Sequence, residues 1–169
     1  MNATASPESA FGGAPGGGPP VIRSIGSCIG WLILSFGLWG FAWIYNTLTE
    51  IGNATGKDTQ ATLKTVLYLI PIVNLFVLYF TWKDVSEFAE STGEGGFSPI
   101  LYIILSFIPI VNIFILISVQ NKLNATWMRA TNGTAQKADL GTLGLVTVVI
   151  GALFWVFYIG IIVIAGAVS

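Results

Sequence analysis

Two seven-residue stretches of this chain are almost the same: Ile70-Pro71-Ile72-Val73-Asn74-Leu75-Phe76 and Ile108-Pro109-Ile110-Val111-Asn112-Ile113-Phe114. Pro71 and Pro109 lie 38 residues apart, each inside a long uncharged apolar run. A proline in a helix deletes one N–H and pushes away the carbonyl four residues earlier, here on Leu67 and Leu105. In hydrocarbon no water satisfies the freed backbone, so a side chain or another helix must. Asn74 and Asn112 are the nearest strong donors in sequence. Two chemistries fit. One is a polar site at the membrane midplane, where discontinuous helices hold ions or substrates. The other is helix-to-helix glue, in which the two amides pair across neighbouring spans for about 0.6–2 kcal/mol each. The glue is the expected role, with the second and third spans antiparallel and Asn74 beside Asn112.

Gln120, Asn121 and Asn124 form a second polar group, with Gln120 and Asn124 on one helix face at i, i+4. Such amides could bind a lipid headgroup or cap a neighbouring helix, and capping is expected. The remaining candidates are loop carboxylates: Asp84, Glu87, Glu90 and Asp139 read as solvated or interfacial charges. The chain has no histidine, which removes the commonest general base and metal ligand. Its one cysteine, Cys28, lies in an apolar run and reads as a small packing residue. No ionisable residue lies inside an apolar run, which argues against a proton-driven transporter. No catalytic, cofactor or metal site is therefore expected, and the protein reads as no enzyme. Asn-x-Thr occurs at Asn2, Asn53, Asn124 and Asn132 and is taken as chance.

The elements that carry these residues follow from composition. The chain has 169 residues, of which 54% are hydrophobic and 9% charged, against about 25% charged in soluble domains. Mean hydropathy is +0.79. So few charges cannot clothe a soluble fold, and a net charge of −1 gives no footing for nucleic acid. The expectation is an all-α integral membrane protein with four transmembrane helices, at about 24–49, 65–82, 98–119 and 140–168, since a span needs roughly 20 apolar residues. Residues 1–22, rich in Gly and Pro, read as a disordered tail rather than a signal peptide. Residues 23–169 form the membrane domain.

Each of the first three spans continues into an amphipathic extension: Ile44, Leu48 and Ile51, then Val85, Phe88 and Ala89, then Leu123, Trp127 and Ala130. Each extension ends at a glycine stop, at Gly56, Gly93 and Gly133. The unit recurs at about 38 residues, most clearly in its second and third copies. Lys57, Lys64, Lys122, Arg129 and Lys137 outnumber Arg23 and Lys83, which places loops 50–64 and 120–139 in the cytoplasm. A competing topology makes Pro71 and Pro109 re-entrant turns, putting all three extensions on one side. On the first span Gly26, Gly30, Gly37 and Gly40 fall within about 80° of arc and offer a helix-packing face, opposed by Trp31, Phe36, Trp39 and Trp43. Trp39, Trp43, Trp82 and Trp127 read as interfacial anchors.

Around Ser35-Phe36-Gly37-Leu38-Trp39-Gly40-Phe41-Ala42-Trp43-Ile44-Tyr45 the chain resembles an uncharacterised prokaryotic membrane family, the domain of unknown function of DUF 4234 type. Gly37, Trp39 and Trp43 fit its first block, with Glu50 after it; Ser98-Pro99 and Gln120 to Asn124 fit the later one. Trp39 stands where tyrosine is usual. The resemblance covers about residues 22–127 and leaves out the fourth span. It implies a prokaryotic cytoplasmic membrane and assigns no chemistry. The resulting expectation is a small multi-pass inner-membrane protein acting as an accessory or assembly component. Its partners would be the lipid bilayer and either a second copy or another membrane protein. The alternative is a pore or facilitator lined by the Asn and Pro sites.

Overall fold

A computed structural model describes residues 21–168; the expected disordered tail falls almost wholly outside the described residues. Among the described residues the protein is all-α apart from one small parallel pair, β1 (Val21–Ile22) with β2 (Gln136–Lys137). Its helices are α1 (Ile25–Leu34), α2 (Trp39–Thr55), α3 (Ala61–Leu67), α4 (Val73–Ser91), α5 (Pro99–Ser106), α6 (Pro109–Ala130) and α7 (Gly141–Val168).

The three apolar runs expected as spans at 24–49, 65–82 and 98–119 are each two helices that fold back on one another. Ion pairs and hydrogen bonds across each fold prove the reversal. Arg23 pairs with Glu50, Lys64 with Asp84 at 2.5 Å, and the Tyr102 and Ser118 hydroxyls meet at 2.8 Å. In continuous helices those partners would stand roughly 40, 30 and 24 Å apart. Among the described residues only α7 is long and apolar enough to cross a membrane: Gly141–Gly166 are 26 residues of mean hydropathy 2.7.

Each reversal has a local cause. At the first turn Phe36 (φ 56°) and Gly37 (φ 87°) are both left-handed, a pair that ends a right-handed helix. At the second, Pro71 bars Ile70 from the helical region, and Ile72 takes φ 71°, an uncommon conformation for a β-branched residue. At the third, Ile108 is extended before Pro109, which starts α6 at its first position. The prolines therefore do not kink a continuing helix. The carbonyls of Leu67 and Leu105, expected to be left bare, accept from the N–H of Ile70 and Ile108 at 3.0 and 3.1 Å.

The long arms α2, α4 and α6 stop where the glycines predict. Gly56, Gly93 and Gly133 all have positive φ. Their amphipathic faces do not lie out on an interface, however. Ile44, Leu48, Ile51, Val85, Phe88, Leu123 and Trp127 are buried against one another and make the core.

Candidate functional site

The hairpins give the molecule two unlike ends. At one end lie the loops and the outer halves of the long arms, held by charge. Asp84 is buried and takes Lys57 at 2.7 Å and Lys64 at 2.5 Å. Glu87 takes Lys57 as well. The hydrogen bond that the Lys57 ammonium donates to Asp84, then the one it donates to Glu87, holds that ammonium above its usual range. Glu94 takes Arg129 at 2.8 Å, while Lys122 and Arg129 donate to the carbonyls of Glu94 and Gly93. Burial pushes the Glu50 carboxyl above 4.5, and the hydrogen bond from Arg23 pulls it part of the way back. The middle loop is thus tied directly to the third, which corrects the expectation that they face opposite sides.

At the other end lie the three turns. Ile33, Phe36, Ile70, Ile72, Phe107 and Ile110 are all exposed there, Ile72 by 74%. Among the described residues, no charged side chain occurs in a turn or in α7. A helix rises about 1.5 Å per residue, so the 10-residue α1 is about 15 Å long. That is half of a hydrocarbon core of about 30 Å.

Helix α7 runs beside the first hairpin and then beyond it. Gly151 lies flush on the turn: a Cβ there would stand 2.2 Å from the carbonyl carbon of Ser35. The Trp155 indole donates to the Ile33 carbonyl at 3.0 Å and its ring meets Phe36 edge-on at 4.9 Å. From Gly141 to Trp155 is about 21 Å of helix, and the remainder adds about 20 Å with no hairpin at its side.

The sequence-derived candidates divide. Gln120 and Asn124 form a relay that runs from the buried core outward: Trp43 Nε1 donates to Gln120 Oε1 (2.6 Å) and Gln120 Nε2 to Asn124 Oδ1 (2.9 Å). Asn124 also clamps Arg23, accepting from its N–H at 2.9 Å and donating to its carbonyl at 2.7 Å. The relay ties the third hairpin to the first through Trp43 and the Arg23 backbone. Asn121 is exposed and outside it. The pairing of Asn74 with Asn112 does not form. Asn112 donates instead to the Ser106 carbonyl at 3.0 Å, closing its own turn, because each asparagine follows a reversal rather than sitting mid-span. Pro71 and Pro109 shape those turns. The glycine face is also split: the turn at Gly37 separates Gly40 from Gly26 and Gly30, and Gly30 has no atom within 4 Å of a built Cβ. Gly151 instead packs tightly on backbone, at the Ser35 turn. Only its small size and its place opposite a turn signal this, and nothing in its sequence neighbours does.

Two of the cavities among the described residues bear on this frame. A cleft of about 600 Å³ lies at the charged end, among Arg23, Asn46, Lys137 and Asp139, with Trp31 in its wall. A second, of about 310 Å³, lies where the three hairpins meet, lined by Trp39, Trp43, Tyr68, Trp82, Asn112 and Leu116. Trp82 is 5% exposed, and its indole N–H has no hydrogen-bond partner. Among the described residues no group of three His, Cys, Asp or Glu side chains is placed to hold a metal. No family model, curated protein or solved structure matches this chain.

Proposed function

We propose that this protein is a non-catalytic, membrane-embedded component that inserts three hairpins into one leaflet and crosses the bilayer with α7. In this reading the turns sit near the midplane, the ion-paired loops stand in the headgroup region and above, and the last dozen residues of α7 traverse the far leaflet. The observation that carries it is the separation of charge from turns along one axis, at a depth of half a bilayer. A four-span arrangement would instead need residues 92–98 on the side opposite Arg129, to which Glu94 is paired.

The mechanical consequence is a wedge. A helix is about 10 Å across, or roughly 80 Å² in section. Six hairpin arms and α7 would occupy the near leaflet and α7 alone the far one, an excess of roughly 500 Å². Inclusion of this kind expands one leaflet and bends the membrane toward the loop side, so the accessory role is membrane shaping or the local ordering of lipid. All seven Lys and Arg residues precede α7, which by the positive-inside tendency puts the loop side in the cytoplasm. Kinship with the DUF 4234 type is part of the proposal. The residues that suggest it have structural work here: Gly37 makes a turn, Glu50 holds Arg23, Ser98 caps α5, and Gln120 and Asn124 form the relay. The inner membrane of a prokaryote is the location this kinship implies.

The test is sidedness. With Cys28 replaced by Ser, single cysteines at Asp58, Gly95 and Thr134 are labelled in sealed vesicles by an impermeant maleimide. All three should react from one face. Reaction of the Gly95 position from the face opposite the other two would reject the one-leaflet arrangement. Reconstituted vesicles should also shrink in radius as protein is added, and unchanged radii would reject the wedge.

A further inference from the structure

We propose that the cleft at the charged end, with the groove that continues it between α1 and α7, holds one zwitterionic phospholipid: its headgroup at Lys137 and Asp139, one acyl chain against Trp31 and Trp155. The inference rests on the membrane reading above for its source of ligand. The cleft, of about 600 Å³, lies between the start of α1, the face of α2 that bears Trp39 and Asn46, and the link that leads into α7. A groove of about 560 Å³ shares Ser27 and Trp31 with it and runs on to Gly30, Leu34 and Trp155. Together they form one trough along α1. It is charged where the helix begins and has no charged side chain where the helix reaches the turn. From Ser24 to Leu34 is about 15 Å of helix, the depth of one leaflet of hydrocarbon. A phospholipid has the same order of parts over the same depth.

Two features select the occupant. The first is a donor without an acceptor. Trp39 is 5% exposed, and among the described residues its indole N–H has no hydrogen-bond partner; unlike that of Trp82, it is not sealed from the space around it. The nitrogen stands on the α7 side of the ring, 3.6 Å from where a Cβ at Gly144 would be, and that Cβ would also touch Leu140, a wall of the cleft. Buried donors in native structures are nearly always paired. The ester carbonyl of a phospholipid, which lies between head and chain, supplies the acceptor. The second feature is charge. Arg23 is already matched by Glu50. Lys137 and Asp139 are both exposed in the cleft, and among the described residues neither side chain has an ion-pair partner. They lie just ahead of Gly141, where α7 begins, which is headgroup depth in the membrane reading. One cation and one carboxylate suit a phosphate that carries its own ammonium, whereas a lipid of net negative charge leaves Asp139 unmatched. Gly30 keeps the apolar part open, since no atom lies within 4 Å of a built Cβ there.

Native mass spectrometry of the full-length protein in detergent reads this out. The probes are phosphatidylethanolamine and phosphatidylglycerol with the same acyl chains, at equal concentration. The expected spectrum shows one bound lipid, with phosphatidylethanolamine several-fold in excess. Gly30→Leu fills the groove without meeting the chain's own atoms and should abolish the adduct. Lys137→Gln should weaken phosphatidylethanolamine about fivefold, the size of one hydrogen bond, and Asp139→Asn should bring phosphatidylglycerol level with it or above. Trp39→Phe should cost the same fivefold, while leaving an ether-linked analogue, which has no carbonyl, unaffected. All four variants are checked for unchanged helicity. Adducts without a fixed number, equal in wild type and Gly30→Leu, would overturn the site. Identical lipid preference in wild type and Asp139→Asn would overturn the zwitterionic head, and equal ester affinity in Trp39→Phe would overturn the role of the N–H. No part of the measurement depends on which face the loops occupy, so this proposal and the one-leaflet arrangement fail separately.

Discussion

Gly151→Ala should undock α7 from the first hairpin, and the size of the effect follows from distances. The added methyl would sit 2.2 Å from the Cα and carbonyl carbon of Ser35 and 2.3 Å from its oxygen. Carbon atoms in contact prefer about 3.5–4.0 Å, so the two backbones must part by more than an ångström. Ser35 is fully buried and its hydroxyl is already engaged by the Leu32 carbonyl and the Trp39 N–H, so the turn cannot rotate aside. Overpacking of this kind costs about 1–3 kcal/mol. The separation also stretches the Trp155 to Ile33 bond of 3.0 Å beyond use, for about 0.5–1.5 kcal/mol more. Against this, alanine improves on glycine in a helix by about 1 kcal/mol. The net is a loss of about 0.5–3.5 kcal/mol. Gly160→Ala is the control, since no atom lies within 4 Å of its built Cβ; it should be neutral or stabilising by up to about 1 kcal/mol. Reversible unfolding in mixed micelles measures both. Equal midpoints for the two variants would refute the docking of α7 on the Ser35 turn. Membrane association should survive in both, because the long apolar stretch is intact.

Three further perturbations probe the loop end. Asn124→Ala removes the clamp on Arg23 and strands the buried Gln120 amide, which should cost about 2–3 kcal/mol of unfolding free energy; Asn121→Ala, at an exposed site, should stay within about 0.5 kcal/mol. Asp84→Asn leaves Lys64 facing a neutral amide with its charge mostly shielded from water, at about 2–3 kcal/mol after allowing for the half-exposed Lys57, whereas Glu87→Gln should cost less than about 1 kcal/mol. A denaturation series that ranks Glu87 above Asp84 would contradict the burial of that pair. Glu50 has a pH signature: its carboxyl is raised above 4.5 by burial, so the folded state holds the proton more tightly than the unfolded state. Stability from this group is full below pH 4.5 and is lost as pH rises through the folded value. Glu50→Gln should flatten the fall in stability on going from acid to neutral pH, and identical slopes in variant and wild type would refute it.

The sequence discloses the helical character, the apolar stripes of the long arms though not that they face inward, the three glycine stops and the shared face of Gln120 and Asn124, because each is set by local spacing. The reversals are less legible. An apolar run of about 25 residues has the same composition whether it is one span or two arms of half the depth folded together. Hydropathy counts residues and carries no direction. At Pro71 and Pro109 a helix break is predictable, but a kink and a reversal break the same hydrogen bonds, and the choice depends on whether the flanking arms find each other's faces. At Ser35-Phe36-Gly37 even the break is hidden, since the glycine has to take a left-handed conformation together with the phenylalanine before it. A continuous-helix reading then places Gly26, Gly30, Gly37 and Gly40 on one stripe that the folded chain does not contain.

The loop charges hold the cue that hydropathy lacks. Counting bases by loop gives a narrow majority for alternating sides, and the acidic middle loop is left without partners. If that loop lies beside the other two, opposite charges meet: Glu94 with Arg129, and Asp84 with Lys57 and Lys64. Buried carboxylates need such cations near them, and Asp84 is buried. A short chain that alternated sides would have to bury that charge alone or keep it in water, and neither agrees with Val85, Phe88 and Ala89 packing inward around it. The pairing of charges across loops therefore argues for hairpins, and with them for a molecule whose loop-end core fixes where three apolar turns stand relative to α7.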